Sequence, residues 1–208
     1  MTDYRDQQDQ TAASPSPDDN LKALVIRARE GDRRAFKQLV EQFHEAVFRM
    51  VYYRIGLRLD AEDITQDVFI KALEGLTRLR DAELFKAWLF RIAVNRVKDF
   101  KRKKHLLVLF RFNKYEKDEH RELEIEDLEA KGPLDHLVRD EFWNKVRLFA
   151  RCLSKWEREV FFLRFLDQLT VKEIACALNR SESTIKTYLY RGLKKFKNNS
   201  ILLDVLEE

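Results

Sequence analysis

Turn-forming residues are scarce along this chain: five glycines and three prolines among 208 residues. A sandwich or a barrel needs a turn roughly every 8–12 residues, whereas a helical protein needs far fewer. Charge points the same way. Charged residues make up 37% of the chain, and long helices with one wet face are the usual way to carry so many. Hydrophobic residues, at 45%, still suffice for a packed core. The expected fold class is therefore all-α.

Helical periodicity agrees. Phe36, Leu39, Val40, Phe43, Val47 and Met50 recur at i, i+3, i+4, i+7, i+11 and i+14, which is one stripe of a helix. Gly31 and Asp32 separate it from a shorter helix around Leu21 to Ala28, and Gly56 ends it. In "DAEDITQDVFIKALEGL" a second stripe, Ile64, Val68, Ala72 and Leu76, faces inward. Asp60 is the expected N-cap there, and Asp63, Gln66, Asp67 and Lys71 stay wet. A third stripe, Phe85, Trp88, Leu89, Ile92, Ala93, Val97 and Phe100, runs through a helix over about Glu83 to Lys104. Its place in that stripe makes Trp88 a packing residue. Arg91, Asn95, Lys98 and Arg102 form a separate basic face. Between Lys86 and Lys104 eight Lys/Arg stand against one acid, Asp99.

The charge then reverses. Tyr115 to Glu129 holds eight acids against Lys117 and Arg121, and Gly132-Pro133 follows. Such a swing beside a Gly-Pro break reads as a linker between domains. The expected organisation is a disordered tail over 1–19, a helical domain over 20–104, a flexible linker over 105–136 and a second small helical domain over 137–200. The tail, "MTDYRDQQDQTAASPSPDD", is polar and acidic, unlike a signal peptide. No apolar run approaches the roughly 20 residues that cross a bilayer, so no membrane insertion is expected.

The second domain carries "TVKEIACALNRSESTIKTYLYRGLKKF". Thr170 and Glu173 fit a capping box, with Ile174, Ala175 and Leu178 inward. Asn179-Arg180-Ser181 makes a corner, and Ser181 or Ser183 caps the next helix. Ile185, Leu189, Leu193 and Phe196 repeat at helical spacing as the core face, leaving Glu182, Thr184, Lys186, Thr187, Tyr188 and Arg191 outside. This is a helix-turn-helix pattern. From Arg180 to Lys197 six Lys/Arg stand against Glu182 alone, which suits a helix offered to a major groove and to phosphates.

Together the two halves resemble a bacterial RNA polymerase sigma factor of the extracytoplasmic-function (ECF) group of the sigma-70-like family. "DAEDITQDVFIKAL" and "FKAWLFRIAVNRVKDF" carry the likeness in the first domain, and "REVFFLRFLDQLTVKEIACALNRSESTIKTYLYRGLKKF" in the second. It covers about Leu21 to Lys104 and Leu137 to Lys197. The resemblance implies a transcription initiation factor that binds core RNA polymerase, directs it to particular promoters and assists −10 melting in the bacterial cytoplasm. It implies a polymerase contact at Asp63, Gln66 and Asp67 with the coiled coil of the largest subunit. It places −10 DNA binding at Arg80, Asp81 and Glu83 of the loop "LRDAEL" and along Arg91, Asn95, Lys98 and Arg102. It places −35 DNA binding at Arg180, Ser183, Thr184, Lys186, Thr187, Tyr188 and Arg191. It further implies promoter DNA and an anti-sigma factor as partners.

The sequence departs from the family pattern at Lys155, where a proline usually follows Ser154, and at Gln168, where a glycine is common. Asn179-Arg180 replaces the usual Gly-Ile, and Tyr188 stands where an arginine is often found. The competing function is a stand-alone helix-turn-helix transcriptional regulator, which has no need of the Asp63/Gln66/Asp67 surface. An enzyme is not expected: no phosphate loop, metal cluster or nucleophile–histidine pair is legible, so no cofactor and no metal are expected. Cys152 and Cys176 read as two buried thiols.

Overall fold

The computed structural model describes residues 17–112, 145–146 and 148–198. Most of the expected tail and most of the acidic linker lie outside the described residues. No strand occurs among the described residues, so the expected all-α class stands.

Helix α1 spans Pro17–Arg29, with proline at a first-turn position where its missing N–H costs nothing. Gly31 turns the chain at φ 97°. Asp32 then caps α2 (Arg33–Ile55): its Oδ1 accepts from the Arg34 and Ala35 N–H at 2.8 and 3.1 Å. Its other oxygen receives Arg27 at 2.6 Å. The Ala35 N–H first, and the Arg27 guanidinium second, hold the Asp32 carboxyl below the usual carboxylate range. Gly56 closes α2 in the left-handed region, as its sequence position indicates.

Helix α3 spans Arg58–Gly75. It starts earlier than expected. Leu57 occupies the N-cap without a side-chain bond, and Asp60 lies in the first turn rather than at the cap. Two single 3-10 turns, Leu76–Arg78 and Ala82–Leu84, lead into α4 (Phe85–Phe112). This helix runs eight residues past the expected end of the domain, into the segment assigned to the linker.

The four helices bury the expected stripes. Leu39, Val47 and Met50 of α2, Ile64, Val68 and Ala72 of α3, and Phe85, Leu89, Ala93 and Val97 of α4 share one core. Trp88 is half-buried against that core, 6.0 Å from the Phe85 ring, as a packing residue should be. A Cβ on Gly75 would stand 3.1 Å from its ring, so glycine makes room for the indole.

In the second half a helical stretch over 148–151 precedes α5 (Lys155–Phe165), α6 (Val171–Leu178) and α7 (Glu182–Lys197). Ser154 and Glu157 form a capping box on α5, and Thr170 and Glu173 form the expected one on α6. Phe149, Leu153 and Phe161 make a local core, with Phe149 edge-on to Phe161 and Phe196 at 5.2 and 5.3 Å. One expectation for α7 changes here. Gly192, not Leu193, turns inward, toward Phe161 and Leu153, and Leu193 is 38% exposed. Cysteine burial also differs: Cys152 is exposed and Cys176 only half-buried.

The two halves touch. Helix α6 packs on α4, and Val160, Leu163, Leu169, Ile174 and Ile185 belong to the same hydrophobic cluster as the first four helices. Helix α4 therefore has two buried sides. Besides the expected stripe, Ala87, Phe90 and Val94 are 0–2% exposed. They recur at i, i+3 and i+7 on the opposite side of the helix.

Candidate nucleic-acid interface

The helix-turn-helix is built from its caps outward. Asn179 ends α6 at φ 53°, a left-handed conformation that asparagine tolerates better than most residues. Gln168, in the turn before α6, has φ 54°. These are two of the three positions where glycines are replaced or the corner departs from the family pattern, and the backbone there has kept the glycine-like conformation. Ser181 caps α7, accepting from the Thr184 N–H at 3.2 Å.

The side chains expected at a −35 element divide into three groups. Ser183 and Thr184 join the cap network, their hydroxyls 2.9 and 2.8 Å from that of Ser181. Thr187 donates to the Ser183 carbonyl. Lys186 and Arg191 project from the exposed face of α7. Tyr188 and Arg180 turn toward Trp156. Tyr188, expected outside, is half-buried and stacks on that indole at 6.5 Å, and the Arg180 guanidinium lies over it at 4.9 Å.

On the first half, Arg91, Asn95, Lys98 and Arg102 are all exposed along α4, as their spacing requires. The preceding loop is already braced. Asp81 accepts from the Glu83 N–H at 2.9 Å, and Glu83 pairs with Lys22 at 2.8 Å. Arg29 donates to the carbonyls of Leu79 and Arg80. Of the three loop residues, Arg80 alone extends an exposed side chain that bonds to no described residue.

Asp63, Gln66 and Asp67 gather around a shallow hollow of about 430 Å³, with Asp60 beside them. Ile64, Ile70 and Phe100 contribute its apolar lining, and Ile70 is 52% exposed. Carboxylates around an apolar patch suit a basic, amphipathic helix. No group of metal-ligating side chains occurs among the described residues.

Two features escaped the reading of the sequence. The first is Arg54, whose side chain is 4% exposed. It reaches Asp167, 1% exposed, at 2.9 Å and Glu159 at 3.2 Å. Burial disfavours the Arg54 charge, but Asp167 and then Glu159 outweigh it and hold the guanidinium firmly protonated. Burial pushes the Asp167 carboxyl up, against the pull of Arg54. Its Oδ1 has no hydrogen-bond partner among the described residues, so the pair retains a desolvation cost. Removing one member of such a pair costs about 3–5 kcal/mol while the other stays buried. The second is Trp156, which takes Lys98 of α4 on its ring at 5.4 Å as well as Arg180. Lys86 adds a bond to the Gln168 carbonyl at 3.2 Å and a contact with Glu173 at 3.7 Å.

Residues 39–106 match the family model for sigma-70 region 2, and residues 145–196 match that for sigma-70 region 4, together more than half of the chain. The chain is 34% identical over 184 residues to the ECF RNA polymerase sigma factor BldN of Streptomyces coelicolor, covering 88% of this chain and 66% of that protein. It is 28% identical over 183 residues to the ECF sigma factor SigW of Bacillus subtilis, covering 83% and 92% of the two. Among solved structures, that of CnrH in complex with the cytosolic domain of CnrY aligns over 90% of this chain and 99% of CnrH. The TM-score is 0.63 and the identity 23%.

Proposed function

This chain belongs to the ECF group of RNA polymerase sigma factors and acts in transcription initiation, and from that premise we propose how its surfaces divide the work. Asp63, Gln66 and Asp67 dock on the coiled coil of the largest polymerase subunit. The acid-rimmed hollow on α3, with Ile70 open to solvent, is the observation that carries this assignment. Loop 79–84 and the basic face of α4 hold the −10 element. Extruding a base costs a few kcal/mol of unstacking, which the loop must return. Asp81 and Glu83 are committed to the loop and to Lys22, so Arg80 is the group available to the base. Lys186 and Arg191 on α7 read or grip the −35 element, with Arg180 and Ser183 to Tyr188 around them.

Each role is one of binding, and none requires catalysis. A stand-alone regulator is not favoured, because it would leave the α3 hollow without a purpose. An anti-sigma factor is a further partner, by analogy with the sigma factor RpoE of Bartonella quintana, whose structure was solved in complex with the anti-sigma factor NepR. No described helix is long and apolar enough to cross a membrane.

The test is the pair Asp63→Lys and Asp67→Lys. Core-polymerase affinity and run-off transcription should fall at least about tenfold, while binding of the free chain to duplex DNA stays unchanged. Undiminished transcription at limiting polymerase would remove the docking assignment.

A further inference from the structure

Trp156 has no part in the roles assigned above. It stands in the first turn of α5, whose start is fixed by the Ser154–Glu157 capping box. Glu157 is in turn tied to α7 by Lys195 at 2.7 Å. The indole is therefore carried on a braced element, and two parts of the −35 reader rest on it. The Arg180 guanidinium, from the corner between α6 and α7, lies over the ring at 4.9 Å. Tyr188, in the second turn of α7, stacks on it at 6.5 Å with the ring planes 18° apart. Arg180 and Tyr188 are both positions at which the chain departs from its family pattern. Lys98 of α4 reaches the same ring at 5.4 Å from across the seam between the two halves.

We propose that Trp156 is a positioning residue for promoter binding: its ring holds the Arg180 guanidinium as a clamp for a phosphate of the −35 element, and Tyr188 backs that ring instead of reading a base. The proposal rests on the initiation-factor reading and assigns the corner of that same site. A ring attracts a cation through its face and uses none of the cation's N–H groups. The Arg180 donors accordingly bond to no described residue. Pairing with a carboxylate would occupy them, as it occupies Lys195 on Glu157. The backbone beneath is fixed as well. The Arg180 N–H donates to the Ala175 carbonyl at 2.9 Å, Asn179 before it is left-handed, and Ser181 after it caps α7. A head and a backbone held in advance lose little freedom on gripping DNA. The direction of the side chain selects a phosphate over a base. In a helix-turn-helix the second helix enters the groove and the first crosses the backbone. Arg180 sits between the two and leans toward α5, whereas Lys186 and Arg191 project from the exposed face of α7. Its planar fork matches a pair of phosphate oxygens. Tyr188, half-buried against the indole, is committed to the platform.

The test is a salt titration of promoter binding by the full chain with core polymerase. Arg180→Ala should weaken binding about tenfold. It should lower the salt slope by about 0.9, as the loss of one phosphate contact does. Both changes should be the same on matched and mismatched −35 sequences. Trp156→Leu removes no charge, yet it should lower the slope nearly as much. The double variant should be no worse than Arg180→Ala, while Lys98→Ala should add to Trp156→Leu. Trp156→Phe, which keeps a ring face, should recover most of the slope. A wild-type slope in Trp156→Leu overturns the proposal, because a merely structural tryptophan would leave the number of phosphate contacts unchanged. Additive losses for Trp156 and Arg180, or an Arg180→Ala loss that varies with the −35 sequence, overturn it too. If Trp156→Leu loses the cooperative melting of the wild-type chain, fluorinated tryptophan incorporated into the unmutated sequence decides. Fluorine weakens the pull of the ring face on a cation with little change of shape. Affinity must then fall in chains that keep Arg180 and stay level in Arg180→Ala, and an equal fall in both refutes the clamp. A wild-type chain without affinity for core polymerase would refute the initiation reading. The same cycle on duplex DNA with the free chain would still decide the role of Trp156.

Discussion

Helices α4 and α7 both carry the cations proposed to face DNA, yet they are built on different plans. Helix α7 is amphipathic: Ile185 and Gly192 are buried, and the charged residues keep to the other side. Helix α4 is dry on two sides and wet on the strip between them. Phe85 and Leu89 face the four-helix core, Phe90 and Val94 face α6, and Arg91, Asn95 and Arg102 occupy the wet strip. A helix with one partner shows its role in a single stripe. A helix with two partners blurs that stripe, because the second set of apolar residues belongs to a neighbour that the local pattern does not name.

The largest effect should separate the two sides of α4. Phe85 and Phe90 are the same residue type, each 1% exposed. Phe85→Ala should lower the unfolding free energy of the full chain by about 3–5 kcal/mol. Phe90→Ala should be milder and should split urea unfolding into two transitions, because opening the seam relieves the cavity. Equal losses in one transition would mean that the seam is as integral as the core.

An intermediate effect compares the two cationic faces within the polymerase complex. Lys186→Ala or Arg191→Ala should weaken promoter binding by about 1–3 kcal/mol if they touch base edges, and unequally across sequences. Arg91→Ala should weaken all sequences alike and lower the salt slope by about 0.9, as a phosphate contact does. Salt titrations on matched and mismatched promoters would detect an exchange of these roles.

The smallest effect concerns the backbone. Gln168→Gly should stabilise the chain by about 0.5–1 kcal/mol, since a left-handed conformation strains a residue with a Cβ. An unchanged melting temperature would show that the strain is already relieved by Lys86, which bonds the Gln168 carbonyl.

What the sequence could and could not convey follows from the same contrast. The stripes of α2 and α3, the Thr170–Glu173 capping box and the helix-turn-helix are local, and spacing alone exposes them. The start of α3 misled because Asp60 looks like a cap, while the chain enters that helix through Leu57. Leu193 misled by lying next to Gly192, whose bare α-carbon lets Phe161 and Leu153 come close. Arg54 sits four residues after Met50, in line with the apolar stripe of α2. Only the distant Asp167 explains why a charge can stand there. The positions of Tyr188 and Trp156 likewise depend on a contact between halves that no window of sequence contains.

The corner at Asn179 has a consequence for how such a chain diversifies. Its direction is fixed by a backbone twist and by caps at Thr170 and Ser181, not by the outward side chains of the helix that follows. The frame therefore keeps its aim while Lys186, Thr187 and Arg191 are exchanged. On the proposed reading of that surface, a lineage of these proteins can acquire new addresses on the chromosome by rewriting a few letters there, with the mount that carries them left untouched.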